Sequence, residues 1–248
     1  MNTLNQLLTS LPPEDFARVS AALAPRALKA RQTLQRRGEP LSAVFFPGHS
    51  LTSLLITMSD GATAEAIVVG AEGLVGIEAA LGSPNAMCDA TVQVAGDAVA
   101  HVMGIDAFRQ EFDRRGAFHA NVMTYAQDWT RFLLQSVTCN ALHAVENRCC
   151  RWLLHANDRL ASHAFPLTHD LLSTMLGVRR PTVTLVMADL VRQGIVRTSR
   201  GMIDIVDRDA LQALSCECYR VVRDIFNGAP DISRSRASDA AVPWHAAS

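Results

Sequence analysis

The chain has 248 residues, which is enough for two domains that each bury a core. Apolar residues make up 49% and charged residues 19%, with a formal net charge of −1. These values exclude an intrinsically disordered chain and a globally basic nucleic-acid binder, so any affinity for nucleic acid must be local. Because neither a secretory signal nor an apolar run of about 18 residues is present, we expect a cytoplasmic protein without membrane association.

Residues 34–105 show the pattern of an antiparallel β-barrel or sandwich. Short apolar or alternating runs are separated by turn residues, as in Pro47-Gly48 and Gly96-Asp97. The runs predict strands over residues 43–46, 51–58, 64–69, 90–94 and 98–105. This part of the chain is therefore expected to be all-β.

The apolar period then changes to three or four residues, in a segment without Pro or Gly from 117 to 151. The repeating positions are Phe118, Val122, Tyr125, Trp129, Phe132 and Ser136. A long helix with this aromatic stripe favours a homodimer, because one small barrel offers too little surface to cover the stripe. A helix packed entirely on its own domain is the open alternative.

A bend near residues 140–145 is expected to separate the long helix from a second one over 144–160, and would form a hinge. From residue 227 the composition turns to Gly, Ala, Ser, Asp and Arg without an apolar period. This pattern predicts a disordered tail over 227–248.

Residues 167–196 predict two helices joined by a tight turn. Thr168 can cap the first helix, Asp170 lies in its first turn, and Gly177 allows the turn that follows. The predicted buried positions of the two helices are Leu171, Leu172, Met175 and Leu176 in the first, and Val183, Val186, Met187 and Leu190 in the second. An ordinary helical hairpin would show the same periodicity.

The second helix starts near Arg179 and tolerates Pro181 in its first turn. Its outer face carries Arg180, Pro181, Thr184, Leu185 and Ala188. An arginine at the start of such a helix can contact guanine O6 and N7 in the major groove, so Arg180 is the candidate base reader.

Two short strands are predicted around Ser199-Arg200-Gly201, forming a wing whose tip residue, Arg200, would reach a phosphate. Paired arginines, a capped preceding helix and a wing together favour double-stranded DNA as the partner over the ordinary hairpin.

The order of barrel, long helix and LTHDLLSTMLGVRRPTVTLVMADL resembles the Crp/Fnr transcription regulators over residues 11–226. The resemblance implies an α+β fold: an N-terminal antiparallel jelly-roll of the cyclic-nucleotide-binding type over 1–115, a dimerisation helix over 116–143 and a winged helix-turn-helix over 144–226. It also implies a homodimer on a palindromic operator, with RNA polymerase as a protein partner. The implied phosphate contacts are Thr168, His169, Arg179 and Thr182, and the implied base contacts are Arg180, Pro181 and Thr184.

The chain departs from the family in its recognition helix. Pro181 and Leu185 occupy positions where the family often has a glutamate and a polar or basic residue. Neither side chain can form a hydrogen bond, so we do not expect the commonest operator of the family. Either residue could contact a thymine methyl group.

The sensor half departs from the relatives that bind cyclic AMP through a Gly-Glu pair and an Arg-Ser pair. The corresponding candidate effector-pocket residues resemble Gly76-Ile77 and Cys88-Asp89. Because a thiol beside a carboxylate replaces the cation that a phosphate needs, we expect no cyclic AMP binding. The effector is unidentified, and no cofactor is predicted.

The six cysteines are expected to be reduced thiols that pack as small apolar residues, rather than a disulfide framework. Cys139 and His143, four apart on a helix, could share a metal or a haem. Cys216 and Cys218 are two apart and would diverge on a helix, which makes them a poor chelate. No metal site is therefore predicted.

Catalysis is not predicted, and Glu65, Glu72 and Glu78 are expected to be solvated or turn residues. The competing functions are a cupin-like barrel enzyme and a nucleotide-binding signalling adaptor. His49 and His101 are isolated on predicted strands, which argues against the enzyme. The arginine pair and the wing argue against the adaptor.

Overall fold

The computed structural model describes residues 5–95, 99–160 and 162–227. The predicted tail from residue 228 onward lies outside these residues. Helices are α1 (Gln6–Thr9), α2 (Pro13–Ser20), α3 (Ile105–Asp113), α4 (Ala117–Leu142), α5 (Val145–Leu160), α6 (His169–Leu176), α7 (Arg180–Arg192), α8 (Arg208–Leu214) and α9 (Cys218–Phe226). Strands are β1 (Leu23–Ala27), β2 (Thr33–Gln35), β3 (Ala43–Phe46), β4 (Leu51–Thr57), β5 (Thr63–Val69), β6 (Asp89–Val94), β7 (Val99–Gly104), β8 (Ala164–Pro166), β9 (Val196–Ser199) and β10 (Met202–Ile205).

The N-terminal half consists of two antiparallel sheets, with strand orders β2-β6-β4-β5 and β1-β7-β3. In the larger sheet Leu54 pairs with Ala90 on one side and Ile67 on the other. The expected antiparallel β-domain is confirmed. Its five predicted strands correspond to β3, β4, β5, β6 and β7, and the predicted ends that fall on described residues agree within one or two residues. β1 and β2 were not predicted from the sequence.

The long helix α4 ends where the backbone of His143 turns extended, and α5 begins two residues later. The predicted bend between two helices is therefore confirmed. The break lies beside the segment that joins α8 to α9, because Cys139 in the last turns of α4 contacts Cys216. It also marks the transition from the β-domain to the C-terminal module.

The aromatic stripe of α4 is buried within its own chain. Phe118, Val122, Tyr125 and Phe132 are at most 3% exposed without a partner chain. The prediction that a second copy of the chain is needed to bury this stripe was wrong, because elements other than the barrel also pack against α4. α3 covers its start, and Phe226 of α9 contacts the rings of Tyr125 and Phe132.

The face of α4 that remains exposed lies on the opposite side. Leu134 is 65% exposed and Val137 is 68% exposed, and both face solvent in the single chain. Ala120, Gln127 and Ala141 are exposed as well, and with Leu134 they form a series at intervals of seven residues. We call these five residues the outer face of α4.

The β-domain and the C-terminal module share a continuous core. Trp152 of α5 donates from its indole Nε1 to Glu65 Oε1 of β5 at 2.8 Å. Ser53 of β4 donates to the other oxygen of Glu65 and approaches the sulfur of Met175 at 3.2 Å. The expectation that Glu65 would be solvated was wrong, since the carboxylate holds two domains together. Glu72 lies in a turn, one of the two expected alternatives, and is paired with Arg159 Nε at 2.8 Å.

Candidate nucleic-acid interface

The first helix of the predicted two-helix motif, α6, is capped as the sequence indicated. Thr168 Oγ1 accepts a hydrogen bond from the backbone N–H of Leu171 at 3.2 Å, and Asp170 lies in the first turn. Gly177 ends the helix in a left-handed conformation with φ of 64°, which permits the sharp turn into α7.

The second helix, α7, begins at Arg180 with Pro181 in its first turn. The predicted buried residues of both helices are confirmed as buried, except Leu171, which is half-buried. These are Leu172, Met175, Leu176, Val183, Val186, Met187 and Leu190. The apolar sides of α6 and α7 therefore form a rigid base for the residues on the outside.

The outer face of α7 is open to solvent. Arg180, Pro181, Thr184, Leu185 and Ala188 are all exposed, with Leu185 at 73%. Leu185 therefore belongs to the surface of the module and not to its core.

The hairpin of β9 and β10 forms the predicted wing and gains a third strand, β8, in the order β8-β10-β9. Arg200 at its tip has a φ of 49°, and Gly201 follows with 78°. Both left-handed residues make the tight reversal possible, and the arginine side chain is exposed.

A concave surface of about 360 Å³ lies between the start of α6, the start of α7 and the wing. Four predicted contact residues line it, namely Thr168, His169, Arg180 and Arg200. Of the other four, Arg179 immediately precedes α7, and Pro181, Thr182 and Thr184 lie in its first two turns. Thr182 is half-buried, whereas Arg179 is exposed.

Two polar contacts organise this concave surface. His169 Nδ1 lies 3.1 Å from Thr184 Oγ1, which links the two helices. Arg180 Nε lies 3.3 Å from Asp170 Oδ1, and both side chains are largely exposed. An exposed ion pair contributes little, roughly 0–1 kcal/mol, so the guanidinium can exchange this carboxylate for another acceptor at small cost. Sequence reasoning placed Asp170 in the helix but did not identify this contact, which depends on tertiary geometry.

The candidate effector-pocket residues come together in the β-domain. Gly76, with φ of 101°, precedes a 3₁₀ turn over Ile77–Ala79, and Ile77 and Cys88 are buried. Asp89 accepts a hydrogen bond from the backbone N–H of Arg37 at 2.8 Å.

Glu78 is the residue that sequence reasoning missed in this pocket. It is 2% exposed, and its Oε1 accepts from Gln35 Nε2 at 2.9 Å and from the Met87 N–H at 3.1 Å. Of the two alternatives expected for Glu78, a turn residue is confirmed and a solvated residue is not, because Gln35 and the Met87 N–H compensate the burial of the carboxylate. Burial, and then the charges of Glu78 and Asp89, raise the pKa of Cys88 to about 12. The neutral thiol of Cys88 and the carboxylate of Glu78 are therefore buried side by side in the β-domain.

The chain also brings four potential metal ligands together. Cys139, His143, Cys216 and Cys218 place their ligand atoms within 4.8 Å of one another, and we call them the thiol–imidazole cluster. Cys216 and Cys218 were expected to diverge if their segment is helical. That condition does not hold, because α9 begins only at Cys218, and the two thiols converge. Hydrogen bonding with the Cys139 and Cys216 thiols lowers the pKa of Cys218.

The fold and the C-terminal module have known counterparts. A sequence model described as the Crp-like helix-turn-helix domain matches residues 147–214. The fold is similar to that of a CRP-family transcriptional regulator from Thermus thermophilus, at 19% identity over 77% of this chain and 96% of that one, with a TM-score of 0.63. FixK2 from Bradyrhizobium japonicum is similar at 16% identity over 78% and 98%, with a TM-score of 0.63.

A third similar structure is CLP, a c-di-GMP-responsive global regulator of Xanthomonas campestris. The identity is 14% over 78% of this chain and 99% of that one, with a TM-score of 0.59. No curated protein sequence matches the chain significantly. None of the helices in residues 5–95, 99–160 and 162–227 is both long and apolar enough to cross a membrane.

Proposed function

We propose that the protein is a transcription regulator of the Crp/Fnr type, and that it reads its operator by inserting the start of α7 into the major groove of double-stranded DNA. The observation that carries the proposal is the convergence of three elements on one exposed surface. The capped start of α6, the arginine-bearing start of α7 and the wing all meet there. A helix start in the major groove, flanked by backbone contacts, is the usual arrangement of such motifs.

The residues divide into two roles. Arg180 can donate two hydrogen bonds to one guanine once it leaves Asp170, while Pro181 and Thr184 face the neighbouring bases. We assign phosphate contacts to Thr168, His169, Arg179, Thr182 and Arg200. Phosphate contacts set the register of a protein on the duplex, and base contacts supply the sequence preference.

The acting species is proposed to be a homodimer that pairs through the outer face of α4. Leu134 and Val137 lie three residues apart, and Gln127 and Ala141 extend the seam at intervals of seven. This spacing is the heptad pattern of two packed helices. Pairing there would remove two large apolar side chains from water and place two copies of α7 for a palindromic site.

The β-domain is proposed to control the regulator through an unidentified effector. By the same family resemblance, RNA polymerase is the protein partner proposed at the promoter, and the cytoplasm is the proposed location. The β-domain of a regulator needs no catalytic residues, and we propose none.

Selection from a randomised duplex library with the purified full-length protein tests this function. We expect enrichment of an inverted repeat whose half-sites lie about one helical turn, roughly 34–36 Å, apart. Affinity should fall steeply with salt, because phosphate contacts release counterions. A library that remains random after several rounds, with no retarded DNA, would contradict the proposal and favour the enzyme or adaptor alternatives.

A further inference from the structure

The thiol–imidazole cluster lies at the joint between the β-domain and the C-terminal module. Cys139 belongs to the last turn of α4, and His143 is the residue at which that helix ends. Cys216 and Cys218 come from the junction of α8 and α9. A ligand bound by all four would therefore join two segments that are more than 70 residues apart in the chain.

The distances in the cluster suit one tetrahedral ion. Cys139 Sγ lies 3.5 Å from Cys216 Sγ, and Cys218 Sγ lies 3.5 Å from His143 Nδ1. Zn–S bonds of about 2.3 Å and Zn–N bonds of about 2.0–2.1 Å place tetrahedral ligands roughly 3.5–3.8 Å apart. A cluster of several irons would need its ligands spread over a larger body than these four atoms enclose.

Local structure explains why the four atoms converge. His143 directly follows the last residue of α4, and its backbone N–H still donates to the carbonyl of Cys139, four residues earlier, at 3.0 Å, so the two residues are adjacent at the end of the helix. Cys216 lies in the extended turn before α9, whereas Cys218 is its first residue, so the two thiols can point to the same place. Set against this, three buried thiols could simply pack as small apolar residues. They form a buried group of their own, however, apart from the main hydrophobic cores.

Polar neighbours surround the cluster as they surround metal ligands elsewhere. His143 Nε2 lies 3.2 Å from Glu217 Oε2, which leaves Nδ1 directed at the thiols. Gln135 Nε2 lies 2.9 Å from Cys218 Sγ and can donate to it. A carboxylate on the far nitrogen of a ligating histidine and a donor to a ligating sulfur both orient and tune such sites. Purely apolar packing of thiols requires neither contact.

The charge of a loaded site would also be balanced. One divalent cation with three thiolates carries a net charge of −1. Arg148 Nη1 donates to the carbonyl of Asn140, the residue after Cys139, at 3.5 Å, which brings one guanidinium close to the cluster. The guanidinium of Arg148 also donates to the carbonyl of Leu176 at the end of α6. Arg148, which belongs to α5, therefore contacts both the last turn of α4 and the end of α6.

We propose that the thiol–imidazole cluster binds one Zn²⁺ per chain, and that the ion fixes the joint between α4 and the DNA-binding module. Binding displaces the protons of the three thiols, so affinity rises with pH. With zinc bound, the end of α4 and the start of α9 move as one body. Without it, no metal bond joins the α8–α9 segment to the end of α4, and the segment is free to move relative to that helix.

Metal analysis of the full-length protein tests the site without reference to DNA. After expression with zinc and purification without chelators, we expect about one zinc per chain. Cys218→Ser and His143→Ala should each lower the zinc content at least about tenfold after dialysis against a weak chelator, since loss of one ligand opens the site. Cys150→Ala, a buried thiol in α5, is the matched control and should retain its zinc.

A second measurement guards against variants that fail to fold. Cobalt added to the unsubstituted apoprotein should give the intense visible bands of a tetrahedral thiolate site, and zinc should displace it. A protein that holds neither zinc nor cobalt, that contains iron and sulfide instead, or that shows a Cys139–Cys216 disulfide by mass spectrometry overturns the proposal.

The effect on the joint is measured separately. Removing zinc should weaken binding to the selected operator by about fivefold or more, a typical coupling between two sites. Unchanged DNA affinity in zinc-free protein would overturn the role at the joint while leaving the metal site itself intact. Failure of DNA binding in both forms would instead contradict the proposed function.

Discussion

The contact between Glu65 and Trp152 predicts a specific pH dependence of stability. Burial raises the pKa of Glu65 above its usual 4.5, although hydrogen bonds from Ser53 and Trp152 partly oppose the shift. At pH values between the unfolded-state and the folded-state pKa, Glu65 therefore keeps in the folded protein the proton that it has lost in the unfolded chain. The resulting stabilisation is fully present below pH 4.5 and is lost as the pH rises through the folded pKa.

Glu65→Gln removes this titration and keeps both contacts, because the amide can accept from Trp152 and donate to the Ser53 hydroxyl. We expect the unfolding free energy of the variant, relative to that of the unsubstituted protein, to rise by about 1.4 kcal/mol per pH unit between the unfolded-state and the folded-state pKa of Glu65. Above the folded-state pKa the difference stays constant. Glu65→Ala should instead cost about 1–3 kcal/mol, because the buried donor of Trp152 loses its acceptor.

Urea unfolding of the three proteins, followed by tryptophan fluorescence from about pH 4.5 to about pH 8, measures these differences directly. A difference between the Gln variant and the unsubstituted protein that does not change with pH would refute the raised pKa. A difference that shrinks as the pH rises would refute its direction.

Three further predictions concern packing, assembly and ligand choice. Gly73→Ala should cost about 1–3 kcal/mol in unfolding free energy, because its Cβ would lie 2.6 Å from Tyr125 Cζ, whereas Gly104→Ala has open space and should cost far less. Leu134→Glu with Val137→Glu should convert a dimer to a monomer in light scattering at micromolar concentration, and an unchanged mass would contradict pairing through the outer face of α4. Cyclic AMP should leave DNA affinity unchanged in fluorescence anisotropy, and a tenfold improvement would contradict the account of the pocket.

The elements that the sequence predicts are those whose signal is local. The strands from β3 to β7 follow alternation and turn residues, and the two helices of the DNA-binding motif follow a cap at Thr168, a glycine turn and a proline in the first turn. β1 contains Pro25 and four exposed residues, and among the described strands it pairs with β7 alone, so it shows little alternation. β2 has three residues, too few for a period to be visible.

What the sequence could not supply depends on contacts between distant segments. The stripe on α4 has the period of a dimer seam, but α9 covers part of it from near the end of the described chain. The burial of Glu65 depends on Trp152, which belongs to the other module. Convergence of Cys139 and Cys216 likewise depends on the chain returning to the end of α4.

The central claim is that Arg180 reads a base, and its removal tests the claim most directly. Across a randomised operator library, Arg180→Ala should cost about 1–3 kcal/mol on the selected site and abolish the preference at one base pair per half-site. Arg200→Ala should weaken all sequences alike and lower the salt slope by about one unit, while Arg192→Ala, at the far end of α7, should change neither. A uniform loss of affinity in Arg180→Ala, with every base preference intact, would show that Arg180 only holds phosphate and would contradict the account.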